Sequence, residues 1–203
     1  HITAEQSLAG LPYAYFDLKK SGAVLGWEWA HGTPAPWLLQ YIQDKDLWNW
    51  ELPGSREINA AIASYPFDFQ RWSGFQQQDL EQEGRAILRY EQELVGKLAA
   101  QAMMVEFQNV LIPAVQSAIL TSQIGERLSA DHPFCLIWHD RDNRRYFSMR
   151  SREDGTDVGS IAASFGGGGH THAAGFSVPL NADGSLPTNP DLPRPIMDRR
   201  RAP

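Results

Sequence analysis

Cysteine is all but missing: Cys135 is the single one in 203 residues, which excludes an internal disulfide and any cluster of thiolate metal ligands. It lies in the apolar run Phe134-Cys135-Leu136-Ile137-Trp138, where a small, soft side chain reads as core rather than as nucleophile, and a lone reduced thiol fits a reducing compartment. No apolar run approaches the ~18 residues that a membrane span requires, and no export signal is read. The expectation is a cytoplasmic protein with no membrane partner. A basic surplus is also lacking. Lys and Arg number 18 against 24 Asp and Glu, for a net charge of −6, so bulk electrostatics cannot hold long nucleic acid and any phosphate must be met locally. There is no internal repeat and no initiator methionine.

What is present is patterned as a mixed α/β chain, with 42% apolar residues, enough for a proper core. Pro12 to Asp17 reads as a short strand, and Ser21 as the cap of a helix from Gly22 to about Trp29. Trp37 to Ile42 is apolar enough to be buried and leads into Asp44-Lys45-Asp46. Glu57 to Tyr65 and Leu80 to Met104 are helical by period, the latter long and amphipathic, a connector between two lobes. Asn109 to Val115 predicts a strand, Ser122 to Ala130 a helix started by a Ser cap, and Phe134 to Trp138 with Arg145 to Arg150 two strands across the turn 139–144. Val158 to Phe165 is helical and Gly175 to Val178 strand-like. The proline-rich stretch from Asn181 onward should be irregular, and Arg199-Arg200-Arg201 is a solvated tail.

Two features carry chemistry. The run Gly166-Gly167-Gly168-Gly169-His170-Thr171-His172 places four consecutive glycines between a helix and a strand. A backbone without side chains admits close approach, and its N–H groups can turn inward into a nest for an anionic oxygen, with His170 and His172 adding donors. Gly167, Gly168, Gly169 and His170 are therefore expected to bind phosphate, and a β-branched residue at Gly168 should fill the space it needs. The second feature is Arg150 and Arg152, which strand alternation puts on one face, where two guanidinium forks could clamp a phosphate. A structural turn and exposed edge charges are the plainer readings.

GGGGHxxAAGF, preceded by Phe147-Ser148-Met149-Arg150-Ser151-Arg152, resembles the DHH-associated C-terminal domain of the DHH phosphoesterases, and His1-Ile2-Thr3-Ala4 looks like the end of that family's Asp-His-His signature. The likeness covers about residues 1 to 180. It implies the C-terminal part of a DHH catalytic lobe over 1–80, a connecting helix over 81–104, a substrate-binding lobe over 105–180 and an irregular tail over 181–203, with the chain beginning inside a motif and most metal-ligand aspartates lying upstream of it. By resemblance, the activity is hydrolysis of phosphoesters, diester or monoester, in short oligonucleotides or nucleotides by two Mn²⁺ (or Mg²⁺) ions. His1 would face the substrate phosphate. Asp44 and Asp46 stand where a late metal-ligating aspartate is expected after a strand. Asp44 is favoured as the ligand with a catalytic role, and Asp46 joins it as a ligand or an outer-shell partner. The substrate is expected to be short single-stranded nucleic acid or a nucleotide, and a homodimer is compatible with this reading.

The alternatives are a non-catalytic phosphate- or nucleic-acid-binding module, like that appended to alanyl-tRNA synthetases, or a polyphosphate-type phosphatase. His31, His132 and His139 show no metal-ligand spacing and read as surface residues. The tryptophans read mainly as core, although an exposed one could stack a base.

Overall fold

The computed structural model describes residue 8, residues 10–12 and residues 14–195. The chain is mixed α/β and divides into two compact units, His1–Glu91 and Gln92–Pro203. The first unit is helical: α1 (Gly22–His31), α2 (Trp37–Asp46), α3 (Ser55–Ser64), the short α4 (Phe69–Ser73) and the first part of α5 (Gln77–Ala99). The Ser21 hydroxyl accepts from the Val24 N–H at 3.3 Å and starts α1, and Gly32 ends it at φ 64°. The strand expected at 12–17 is not formed among the described residues. Asp17 instead accepts from the Lys19 N–H at 2.9 Å, a local turn that competes with extended pairing.

Trp37 to Ile42 is the start of a helix rather than the strand anticipated before Asp44. Its inward apolar residues fall at 37, 38, 41 and 42, a period of 3.6. They pack with Ile58, Ala61, Ile62 and Leu80 into the core of this unit. There α5 meets α3 backbone to backbone, since a Cβ on Gly84 would lie 1.8 Å from the Glu57 carbonyl oxygen. Trp37 and Trp72 lean on that core, while Trp29 is 85% exposed.

The second unit is built on a seven-stranded sheet of order β5-β6-β4-β3-β2-β1-β7. Its strands are β1 (Met103–Phe107), β2 (Val110–Gln116), β3 (Cys135–Arg141), β4 (Arg144–Arg150), β5 (Gly168–His170), β6 (Ala173–Pro179) and β7 (Arg194–Pro195). All neighbours are antiparallel except β2 and β3, whose parallel link is made by the crossover helix α6 (Thr121–Ser129). The helix expected to reach Met104 stops at Ala99, because residues 103–107 alternate with Val105 and Phe107 inward and join the sheet. The β3–β4 hairpin runs closer to its tip than expected. Asp142 and Asn143, at φ 51° and 56°, close it as a two-residue turn.

Side-chain alternation sorts the sheet into two faces. One holds Ile112, Leu136, Phe147, Met149 and Phe176 under α7 (Val158–Ser164), whose Val158 and Ala162 are fully buried. The other holds Val115, Cys135 and Ile137 against Ile124 of α6 and Val95 of α5. Burial pushes the Cys135 thiol up to about 12, so it is packing and not a nucleophile. The tail is less irregular than its prolines suggested: Leu192 is buried in the first of these cores, and Arg194–Pro195 pair with β1 at the sheet's far edge. Among the described residues no helix is long and apolar enough to cross a membrane.

Two glycines of α5 should respond oppositely to alanine. Gly84→Ala should cost roughly 1–3 kcal/mol by driving a methyl into the α3 backbone. Gly96, with nothing within 4 Å of a built Cβ, should gain up to about 1 kcal/mol from helix propensity. Chemical denaturation of the two variants reads the difference.

Candidate functional site

The glycine run does not form an open nest. Gly168–His170 pair with β6 as an edge strand, and the Gly167 N–H donates to the Ala162 carbonyl at 2.9 Å. Two of the glycines are explained by the protein's own backbone. A Cβ on Gly167 would lie 2.2 Å from the Gly175 oxygen, and one on Gly169, at φ 145°, 2.5 Å from the Ala173 oxygen. The other two, Gly166 and Gly168, have no atom within 4 Å of a built Cβ. The run thus serves tight strand packing on one side and open space on the other.

The register shows where that open space lies. His170 pairs with Ala173, Ala173 with Arg150, and Arg150 with Cys135. Paired residues share a face, so His170 and Arg150 stand in one row, with only a methyl between them. The adjoining row is Gly168, Gly175 and Ser148. The result is a shallow cradle floored by two glycines and an alanine, with an imidazole at one side and a guanidinium at the other.

Arg150 is half-buried, and its donors meet neutral acceptors: Nη1 donates to the Met149 carbonyl at 2.8 Å and Nη2 to the Ser122 hydroxyl at 3.1 Å. Among the described residues no carboxylate pairs with it. Burial draws its pKa below the usual guanidinium value. Ser122 was expected to cap α6, but the cap is Leu120, at φ 54° and without a side-chain cap bond. The first turn of α6, whose Ser122 hydroxyl accepts from Arg150, therefore adds a positive helix end beside a positive side chain.

Arg152 is not brought to this cradle. It lies past the end of β4, with Nη1 donating to the Ala130 carbonyl at 2.9 Å and Nε 3.1 Å from Asp154. Ser122 and Ala130 are at opposite ends of α6, about 12 Å apart at helical rise, so the two arginines do not close on one phosphate.

His172 has a role that its sequence position did not disclose. The Ser151 hydroxyl donates to the Thr156 carbonyl at 2.7 Å and lies 3.0 Å from His172 Nδ1. With the hydroxyl proton committed to Thr156, a His172 tautomer carrying its proton on Nδ1 completes the contact. The only advance signal was that Ser151 alternates out of phase with Arg150.

Asp44 is 5% exposed, and its two carboxylate oxygens accept the backbone N–H groups of Glu51 and Leu52 at 3.0 and 3.2 Å. Its own carbonyl accepts from Asn49 at 2.9 Å. The residue holds the loop through Trp48 and Trp50, both at positive φ (60° and 57°), which is the work of a structural anchor. Asp46 is the exposed carboxylate of the pair. His1 lies outside the described residues. Among the described residues no group of three or more His, Cys, Asp or Glu side chains is placed to hold a metal ion, so the residues present do not make a two-metal centre.

No family model matches the chain. A curated relative, an uncharacterized protein of Acanthamoeba polyphaga mimivirus, is 31% identical over 194 residues, covering 87% of this chain and 46% of that protein. The chain thus spans less than half the length of the relative it matches. Among solved structures, the pGpG-specific phosphodiesterase PggH from Vibrio cholerae is similar at TM-score 0.36 and 15% identity, covering 52% of this chain and 38% of that one. An uncharacterized protein from Helicobacter pylori is similar at TM-score 0.33 and 13% identity, covering 88% and 66%. At TM-scores below 0.5 such likeness does not establish a shared fold.

Asp44→Ala should lower stability by roughly 2–4 kcal/mol, because it strands two part-buried N–H groups. A thermal melt without added metal measures this, and an unchanged melting temperature would return Asp44 to a purely metal-binding role. In the glycine run, Gly167→Ala should cost roughly 1–3 kcal/mol, while Gly168→Ala should stay within about 0.5 kcal/mol, the reverse of the sensitivity expected at Gly168. Denaturant titration of both variants decides it.

Proposed function

We propose that this chain is the substrate-holding part of a metal-dependent phosphohydrolase acting on short oligonucleotides or nucleotides, and that the cradle between Arg150 and His170 receives a phosphate of the substrate. The observation that carries this reading is the half-buried Arg150 guanidinium, which meets only neutral acceptors beside a side-chain-free floor. A desolvated cation gains most from an anion that can make charge-assisted hydrogen bonds, and a phosphate oxygen set is large enough to reach from the guanidinium toward an imidazole across Ala173. The glycine floor removes the side chains that would otherwise hold the phosphate away.

Divalent ions held elsewhere would supply the hydroxide and the phosphoryl charge neutralisation for phosphoester hydrolysis. The residues described here do not complete such a centre, so their part is to bind and orient. Arg150 and His170 fix the phosphate, and Ser151 fixes the ring of His172 beside it in sequence. A second reading, a phosphate- or nucleic-acid-binding module without catalysis, is favoured by the fate of Asp44, whose carboxylate is committed to backbone N–H groups. Of the pair, Asp46 is the carboxylate accessible to a cation.

Titration calorimetry of the chain with a 5′-phosphorylated dinucleotide tests the cradle. Arg150→Gln and His170→Ala should each weaken binding by roughly 10- to 100-fold, the loss of one charge-assisted hydrogen bond. Mn²⁺-dependent hydrolysis of the same dinucleotide, abolished by EDTA, would favour the enzyme, and binding without turnover the module. Failure of the parent chain to bind, or equal affinity in both variants, would leave the glycine run a packing device only.

A further inference from the structure

The sheet face that carries Arg150 and His170 continues past the cradle toward the β3–β4 turn. Two rows beyond Arg150, the register sets His139, Tyr146 and Ser177 side by side, and one row further Arg141 and Arg144. The His139 and Tyr146 rings stack at 5.3 Å with 10° between their planes, and the Arg141 guanidinium carbon lies 4.9 Å from the Tyr146 ring centre. Arg144 is laid across β6 by hydrogen bonds to the Ser177 hydroxyl and carbonyl at 3.0–3.2 Å.

None of the side chains that β3, β4, β5 and β6 place on this face is a carboxylate. Asp140 projects from the other face, where it binds Arg145 through both oxygens at 2.7 and 2.8 Å. Asp142 belongs to the turn and makes an exposed contact with Arg141 at 3.4 Å, of the kind that contributes little. In a chain of net charge −6, a carboxylate-free strip bearing Arg150, Arg144, Arg141 and a stacked ring pair is a local reversal of sign. From Arg150 to Arg144 the strip runs six residues, about 20 Å at strand rise, too long for a single phosphate.

We propose that the rows of His139–Tyr146 and Arg141–Arg144 form a second subsite for a stacked base and its phosphate. The ligand of this face is then a single-stranded oligonucleotide lying along β4 from the cradle to the hairpin tip. This rests on the cradle reading above. Aromatic and cationic side chains alternating along a groove bind single strands by stacking and phosphate contact without needing a sequence, whereas a duplex keeps its bases from the rings.

The test is fluorescence anisotropy of 3′-labelled, 5′-phosphorylated oligonucleotides of increasing length, from the dinucleotide upward, in EDTA so that metal-dependent cleavage is absent. Affinity should rise with length beyond the dinucleotide and then level off. Tyr146→Leu, which keeps an apolar body under the strip, should weaken the longer strands by roughly 5- to 100-fold, the loss of one base–aromatic stack, and leave the dinucleotide unchanged. Tyr146→Trp should restore binding. Arg141→Gln and Arg144→Gln should each reduce the salt dependence by about 0.7 in log–log slope. Equal affinity for dinucleotide and longer strands, no effect of Tyr146→Leu, or equal binding of a duplex would overturn the subsite. Arg150→Gln separates the two readings: if it weakens the dinucleotide while length has no effect, the cradle stands and the subsite falls. If it changes nothing while Tyr146→Leu weakens the long strands, the cradle falls and the subsite stands.

Discussion

The in-register pairing of β4, β6 and β5 is the constraint on which the candidate site depends. It sets Arg150, Ala173 and His170 in one row, although Arg150 and His170 are twenty positions apart in the chain. The pairing in turn needs backbone approaches that side chains would forbid. Gly167 lies against the Gly175 carbonyl, Gly169 against Ala173, and Gly175 against the Phe147 carbonyl, with built Cβ distances of 2.2, 2.5 and 2.6 Å. A slip of one residue in β6 would move Ala173 to the opposite face and bring Ala174 and Phe176 out of the core. The aromatic cluster of Phe176 with Phe147 and Phe165, at ring separations of 4.9 and 4.5 Å, fixes that register from the far side. The apolar core on one face therefore determines the geometry of the Arg150–Ala173–His170 row on the other.

Electrostatics then gives that geometry a direction. Two arginines of this unit are paired with carboxylates, Arg145 with Asp140 and Arg152 with Asp154, while Arg144 donates to the neutral Ser177 hydroxyl and carbonyl. Arg150 is likewise held partly out of water among neutral acceptors, the Met149 carbonyl and the Ser122 hydroxyl in the first turn of α6. Removing a cation from water without an anion is costly, and that cost is what the proposed phosphate would offset. The strip's arginines stand out against the acidic surplus of the whole chain, 24 Asp and Glu to 18 Lys and Arg.

Much of this fold was legible in the residues. Ser21 before an apolar-periodic stretch, the alternation of 134–138 and 145–150, and the Val158–Phe165 period all became the elements they suggested. The misses have physical causes. Residues 37–42 are apolar in a run short enough to fit strand or helix, and only the partners of Trp37, Leu38, Tyr41 and Ile42 in the core decide for a helix. Residues 12–17 have β-forming aromatics but, among the described residues, no neighbouring strand to pair with, and a strand without a partner leaves its backbone groups unmet. At the site, the glycines pointed correctly to close approach but not to what approaches. Sequence alone could not say that Gly167 and Gly169 face backbone while Gly168 faces space. The alternation that grouped Arg150 with Arg152 assumed a strand continuing past Arg150, where pairing with β6 ends. His139 was passed over because a lone histidine has no spacing to mark it; its meaning comes from the hairpin register that puts it against Tyr146.

The two aspartates after α2 show how burial reassigns roles that residue type leaves open. Asp44 and Asp46 sit two apart on a helix end, so they cannot share one direction: at 100° per residue their side chains diverge widely. The inward one is surrounded by N–H groups of a loop that turns back over the helix with two tryptophans at positive φ, and those donors stabilise its charge without any ion. The outward one carries its charge at the carbonyl end of the helix, where the dipole disfavours an anion. Asp46 is the carboxylate that solvent and a cation can reach, whereas a cation competing for Asp44 would first have to dismantle the loop. The same chemistry, a carboxylate two residues along, is structural in one case and available in the other because of the hydrogen-bond donors that the fold brings to each.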